Sequence, residues 1–97
     1  MKVKRLTDTS YELALPCVDK TAIALETNLD IMRDVLEHQV TEDGLPFDLN
    51  GLTTSFKPIQ AVIPDPGGSS IHLMVQAYLI TMVYQVPEQL LNLKAFW

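Results

Sequence analysis

The chain has 97 residues, 47% of them hydrophobic and 20% charged, with a formal charge of −5. That length allows one domain with a modest core, and that composition excludes a disordered chain. Residues 1–48 hold five cationic side chains against ten acids, whereas residues 49–97 balance two against two. The acidic first half argues against direct nucleic-acid binding, and the near-neutral second half points to core plus interface.

In chain order, residues 3–15 read as a strand, because Tyr11, Leu13 and Leu15 alternate with Glu12 and Ala14 until Pro16 stops the run. Cys17 is the only cysteine, so neither an internal disulfide nor a cysteine zinc site can form, and it reads as a small buried residue. The N-terminus lacks the apolar run of a secretory signal. Residues 21–40 are ambiguous. Leu25, Leu29, Met32 and Leu36 recur at helical spacing behind a Thr21 cap, while Met32, Leu36 and Val40 also share strand parity.

From Gly44 the pattern turns to β. Pro46 and Asn50-Gly51 punctuate it, "LTTSF" and "KPIQAVI" read as strand, and "PDPGGSS" is the strongest turn signal. Residues 71–86 read as two strands broken near Gln76 to Leu79. Their sixteen residues are too few and too polar for a membrane helix. Pro87 ends this segment, Glu88 to Leu91 suits one helical turn, and "LKAFW" closes as a strand. Together these features predict a soluble protein made in a reducing cytoplasm.

No constellation of residues supports catalysis. His38 and His72, the two histidines, carry no spacing that unites them with a carboxylate, and Cys17 has no histidine in local register. Glu42, Asp43 and Asp48 lack the alternation and closing glutamate of a calcium loop. "DPGGSS" lacks the lysine of a phosphate loop and reads as a hairpin turn. Tyr11, Phe47, Phe56, Tyr78, Tyr84, Phe96 and Trp97 suit packing better than a ligand cage. The expectation is no catalytic residue, no metal, no cofactor, and no contact with nucleic acid or membrane.

"DGLPFDLNGLTTSF", Asp43 to Phe56, resembles an element of the N-terminal domains of phage baseplate upper proteins and tail-fibre proteins. Arg33, Leu36 and Val40 before it, "MVYQVPEQLL" after it and the closing "LKAFW" follow the same family order, so the resemblance spans residues 27–97. It implies a mainly β fold, a small Ig-like β-sandwich, with a strand over 31–40 and a short helix confined to 19–30; α+β is the alternative. Within it, Gly44, Phe47, Asp48, Leu49, Asn50 and Gly51 form a structural turn motif. Phe47 and Leu49 point inward, Asp48 braces the corner, and Gly51 supplies a positive φ.

The function so implied is a virion structural module. It would be a single domain serving as the N-terminal attachment domain of a longer protein, on a tail baseplate or fibre that supports host adsorption. Its partners would be other virion proteins or copies of itself in a trimer. The alternative is a small phage or bacterial inhibitor that binds a host defence enzyme.

Overall fold

The computed structural model describes residues 1–64, 67–68 and 72–94. Strands β1 (Lys4–Thr7) and β2 (Ser10–Cys17) lead into helix α1 (Ala22–Glu42). A 3₁₀ turn at Leu49–Gly51 then opens strand β3 (Leu52–Pro64), followed by β4 (His72–Gln85) and helix α2 (Glu88–Lys94). The strands form one antiparallel sheet in the order β1-β2-β4-β3. The domain is therefore β-rich with helices added. A sandwich needs a second sheet, and the described residues form this single sheet.

The helical spacing prevails over residues 21–40, so the strand expected over 31–40 and the helix limited to 19–30 are both corrected. Thr21 caps α1, its Oγ1 accepting from Ala24 N at 3.3 Å, and the Asp19 carboxylate accepts from Thr21 N at 3.0 Å. Met32, Leu36 and Val40 recur every fourth residue and are fully buried. They pack with Tyr11 and Leu13 of β2 and with Ile80, Met82 and Tyr84 of β4. A strand would have placed the same three residues on one face with Asp34 and His38 among them. The helix turns those two outward, where both are exposed.

The helix stops at Gly44, whose φ of +80° suits glycine. Its N–H bonds to Thr41 O at 3.0 Å, and the Leu45 N–H reaches back to Val40 O at 3.1 Å. "EDGL" is thus a Schellman helix stop, with half-buried Leu45 against the core.

Several strand boundaries differ from the sequence reading. The expected 3–15 strand is two strands joined through a tight turn at Asp8 and Thr9, with Thr7 paired to Ser10. Pro16 lies within β2, opposite Leu79 of β4. β3 runs unbroken through Pro58, and β4 runs unbroken through 76–79. At the end of the chain, α2 takes in Leu93 and Lys94 from the expected closing strand, while 95–97, including Phe96 and Trp97, lie outside the described residues.

The prolines are accommodated by parity. Proline has no N–H to give a ladder, so it settles where its nitrogen faces away from the partner strand. Pro58 and Pro64 pair with Tyr78 and His72, both even positions of β4, leaving odd positions such as Ala77 and Val75 to bond β3. The even positions of β4 then bond β2 through Cys17, Leu15, Leu13 and Tyr11. Pro16, opposite odd Leu79, again points its nitrogen off the ladder. All three prolines obey one register.

β3 and β4 are also longer than the body needs. β2 pairs with β4 from Gln85 to Tyr78 and stops at Cys17. Beyond that point six residue pairs, Ile59↔Ala77 to Pro64↔His72, have only each other. The result is a two-stranded arm roughly 20 Å long at about 3.3 Å per residue. The principal extents are 61 × 24 × 17 Å and the radius of gyration is 16.9 Å. A compact chain of this length has a radius of gyration of about 13 Å.

Candidate interaction site

The corner at residues 43–56 is built by side chains that satisfy backbone groups. Asp48 Oδ1 accepts from Asn50 N at 2.8 Å and opens the 3₁₀ turn. Tyr84 Oη donates to Pro46 O at 2.8 Å and accepts from Asp48 N at 3.0 Å. Burial raises the Tyr84 phenol above its ordinary range, opposed by the Asp48 N–H and reinforced by the nearby Asp48 carboxylate. Phe47 stacks on the Tyr84 ring at 4.8 Å between centroids.

Two parts of the expected turn motif need correcting. Leu49 does not point inward; it enters the 3₁₀ turn and is 61% exposed. Gly51 does not supply a positive φ, which belongs to Gly44 instead. What Gly51 supplies is space: a Cβ there would overlap the Gln85 carbonyl oxygen and lie 2.6 Å from Tyr84 Cε1. The motif anchors the start of β3 on the end of β4.

A second polar cluster fixes the opposite side of the helix stop. The Tyr11 hydroxyl donates to Asp43 Oδ2 at 2.7 Å, Gln39 Nε2 donates to Asp43 Oδ1 at 3.2 Å, and Arg5 Nη1 lies 3.6 Å from Asp43 Oδ2. Burial first, then the Asp43 carboxylate, pushes the Tyr11 phenol up to about 12. Arg5 also sits 5.5 Å above the Tyr11 ring. A phenol held so firmly protonated is a poor general base at neutral pH, and this cluster braces α1 against β2.

The other residues weighed for chemistry are dispersed. His38 is exposed on α1 with its Nε2 3.5 Å from Glu42, while His72 begins β4 at the outer end of the arm. Cys17 is buried; its thiol donates to Asp19 O at 3.0 Å and accepts from Asn28 Nδ2 at 3.1 Å. Asp43 and Asp48 are engaged as above. Among the described residues no group of histidine, cysteine, aspartate and glutamate side chains is placed to hold a metal, and no helix is long and apolar enough to cross a membrane.

The arm is the feature that stands out. Residues 58–64 and 72–87 contain no Lys, Arg, Asp or Glu. Val62 and Met74, opposite each other, are 62% and 66% exposed. They occupy the sheet face that α1 covers further in, because residues 74 to 84 of even number share one side. Phe56, 46% exposed, meets Tyr78 edge-on at 6.2 Å between ring centroids, at the point where the helix cover ends.

At the root of the arm a shallow cleft of about 390 Å³ is lined by Lys20, Pro58, Ile59, Gln60, Gln76, Ala77 and Tyr78. One cation, two amides and a phenol on this lining offer hydrogen bonds to a docked group. The acids meanwhile gather on the outer face of α1, where Glu26, Asp30, Asp34 and Glu37 are exposed and Arg33 pairs with Asp30 and Asp34. The turn motif singled out in the sequence braces the corner, and the sequence reading, which placed an interface in the near-neutral second half, did not single out the arm residues. The legible signal was the uncharged run on both sides of "PDPGGSS". No family model matches the chain, and no solved structure matches its fold.

Proposed function

We propose that this chain is a non-catalytic assembly module that docks by protein–protein contact through the β3–β4 arm. One observation carries the reading: an uncharged two-stranded ribbon with exposed Val62 and Met74 extends past the helix that covers β2 and β4 on that sheet face. An isolated two-stranded ribbon is marginally stable in water, so a partner that completes its packing is worth more here than at any other surface of the molecule. The polar clusters elsewhere are committed to bracing.

Within that reading, the setting is a phage tail, as a baseplate or fibre attachment module in the virion. The support is the Asp43 to Phe56 motif, in which Phe47, Asp48 and Gly51 serve as packing and bracing groups at the entry to the long strand. A sandwich would then form between molecules, with a neighbouring copy or hub protein supplying the second sheet.

The acidic outer face of α1 favours a second reading, an inhibitor that presents Glu26, Asp30, Asp34 and Glu37 to a basic surface of a host defence enzyme. The two separate by variant. The chain is co-expressed with the proteins encoded beside it, as wild type, with the arm shortened to a tight turn, and with the four α1 acids neutralised. Retention in a complex that only arm shortening abolishes supports the assembly module. Salt-sensitive binding to an enzyme that only the α1 changes abolish supports the inhibitor, and catalytic turnover by the chain overturns both.

A further inference from the structure

β3 is an edge strand, and its free edge is guarded unevenly. Natural edges are blunted by lysine and proline. Lys57 and Pro58 guard the edge near the body, and Pro64 guards its far end. Between them lie five unguarded, uncharged residues, Ile59-Gln60-Ala61-Val62-Ile63. Together with its prolines the segment reads P-I-Q-A-V-I-P, which is a palindrome apart from the Gln60 and Val62 exchange.

A palindrome matters for one geometry. Laid antiparallel on a second copy about a two-fold axis at Ala61, each residue meets the residue whose number mirrors its own. Ile59 meets Ile63 of the other copy, Ala61 meets Ala61, and Gln60 meets Val62. Isoleucine therefore packs on isoleucine and alanine on alanine, while the unlike pair Gln60 and Val62 occurs twice, reciprocally, as in any isologous two-fold contact. The backbone agrees. Because the nitrogens of Pro58 and Pro64 face the free edge, so do the N–H and C=O groups of Gln60 and Val62. The mirror register brings those groups together as two hydrogen-bonded pairs, each exchanging two bonds. Pro58 then faces Pro64 of the other copy, neither has a donor, and the ladder ends at both ends.

We propose that Ile59–Ile63 pairs antiparallel with the same segment of a second copy, in register at Ala61, joining the two arms into one four-stranded sheet. The inference rests on the assembly reading and names its first partner. A heterologous strand would gain nothing from the palindrome, and a partner chosen by charge would find none on the arm. Four strands are also far more stable than two. The arrangement keeps the acidic bodies about 20 Å apart, at roughly 3.4 Å per residue, beyond a Debye length of about 8 Å at physiological salt. The contact is small, on the order of several hundred Å², so the dimer is reversible and concentration-dependent.

The test is sedimentation velocity on the full chain over a wide concentration range, joined to cysteine cross-linking. The wild type is expected to shift from 10.9 kDa to twice that mass as concentration rises. Val62→Pro removes an edge-facing donor and leaves the arm's own ladder through Ile59, Ala61 and Ile63 intact. It is expected to remain a monomer at every concentration, with the helical circular dichroism of α1 unchanged.

Ala61→Cys places the two thiols in a non-hydrogen-bonded pair with Cα atoms about 4.5 Å apart, within disulfide range. It is expected to cross-link under mild oxidation. Ile59→Cys separates them by about 14 Å, at roughly 3.4 Å per residue, and is expected not to cross-link. Wild type, with Cys17 buried, is the control.

A wild type that stays monomeric overturns the pairing, and so does cross-linking through residue 59 in preference to 61, or a dimer that Val62→Pro leaves intact. If the pairing fails while arm shortening still abolishes the complex with neighbouring gene products, the assembly reading survives without it. If arm shortening changes neither, both are overturned.

Discussion

The body and the arm are made from the same two strands, yet they obey different rules. In the body, β4 lies between β2 and β3 and under α1, so Ile80, Met82 and Tyr84 are buried to 3% exposure or less. In the arm the same parity continues through Met74, but neither a third strand nor the helix is beside it. Side-chain chemistry hardly changes along β4; its cover does. The comparison teaches that apolar content in a small chain becomes core where the topology supplies a second layer, and exposed surface where it does not.

The sharpest way to test that division is to cut into the body. Leu36→Ala, beneath α1, is expected to cost about 2–5 kcal/mol. That rivals the whole stability of a domain this size, about 5 kcal/mol, so a urea titration should find the variant near or past its unfolding midpoint. Gly51→Ala acts at the seam between the strands, where the new methyl meets the Gln85 carbonyl and the Tyr84 ring. It is expected to lower the urea midpoint by the equivalent of about 1–3 kcal/mol.

Tyr11→Phe removes one hydrogen bond to Asp43, worth about 1 kcal/mol at neutral pH. It has a signature in alkali as well. The folded-state phenol is raised to about 12 from an ordinary value of 10.0, so its stabilisation is complete below pH 10 and is lost as pH rises from there through about 12. The wild-type thermal midpoint should fall across that window. Tyr11→Phe should flatten the fall, leaving the part that belongs to Tyr84, also raised.

At the small end, Val62→Ser on the arm is expected to change the urea midpoint of the dilute monomer by no more than about 0.5 kcal/mol. A large loss there would mean that the arm belongs to the core. Hydrogen exchange sharpens the same boundary: arm amides at 59–63 should exchange well before those of Leu13 and Ile80.

Much of the body was legible in the sequence. The spacing of Leu25, Leu29, Met32 and Leu36 and the cap at Thr21 describe α1 correctly, because a helix satisfies its hydrogen bonds within itself and shows its stripe locally. The family resemblance pulled residues 31–40 toward strand, and the buried contacts of Met32, Leu36 and Val40 decide against it. With a strand over 31–40, Gly44 reads as a turn between strands, yet a glycine just after a helical stripe is also the ordinary signal of a helix stop.

The strands were harder to read. Pro16 and Pro58 look like breakers in one dimension, and whether a proline breaks a strand depends on which side its nitrogen faces. The expected break near Gln76 failed for a related reason. Gln76 lies opposite Gln60 in the arm, so a polar residue in mid-strand reflects a lack of cover rather than an end of pairing. For the candidate site, the uncharged composition of the arm was visible, but its separation from the core was not.

By itself, then, the sequence determined what is local and covalent: the apolar stripe and caps of α1, the stop at Gly44, the corner chemistry of Asp48, the missing donors of three prolines, and a second half almost without charge. The tertiary structure alone decided which apolar residues became core. Burial is a property of neighbours, and the neighbours of Val62 and Met74 are set by where β2 ends and α1 begins. It also decided that Pro58 and Pro64 bracket an open edge, because strand order determines which side of β3 has no partner.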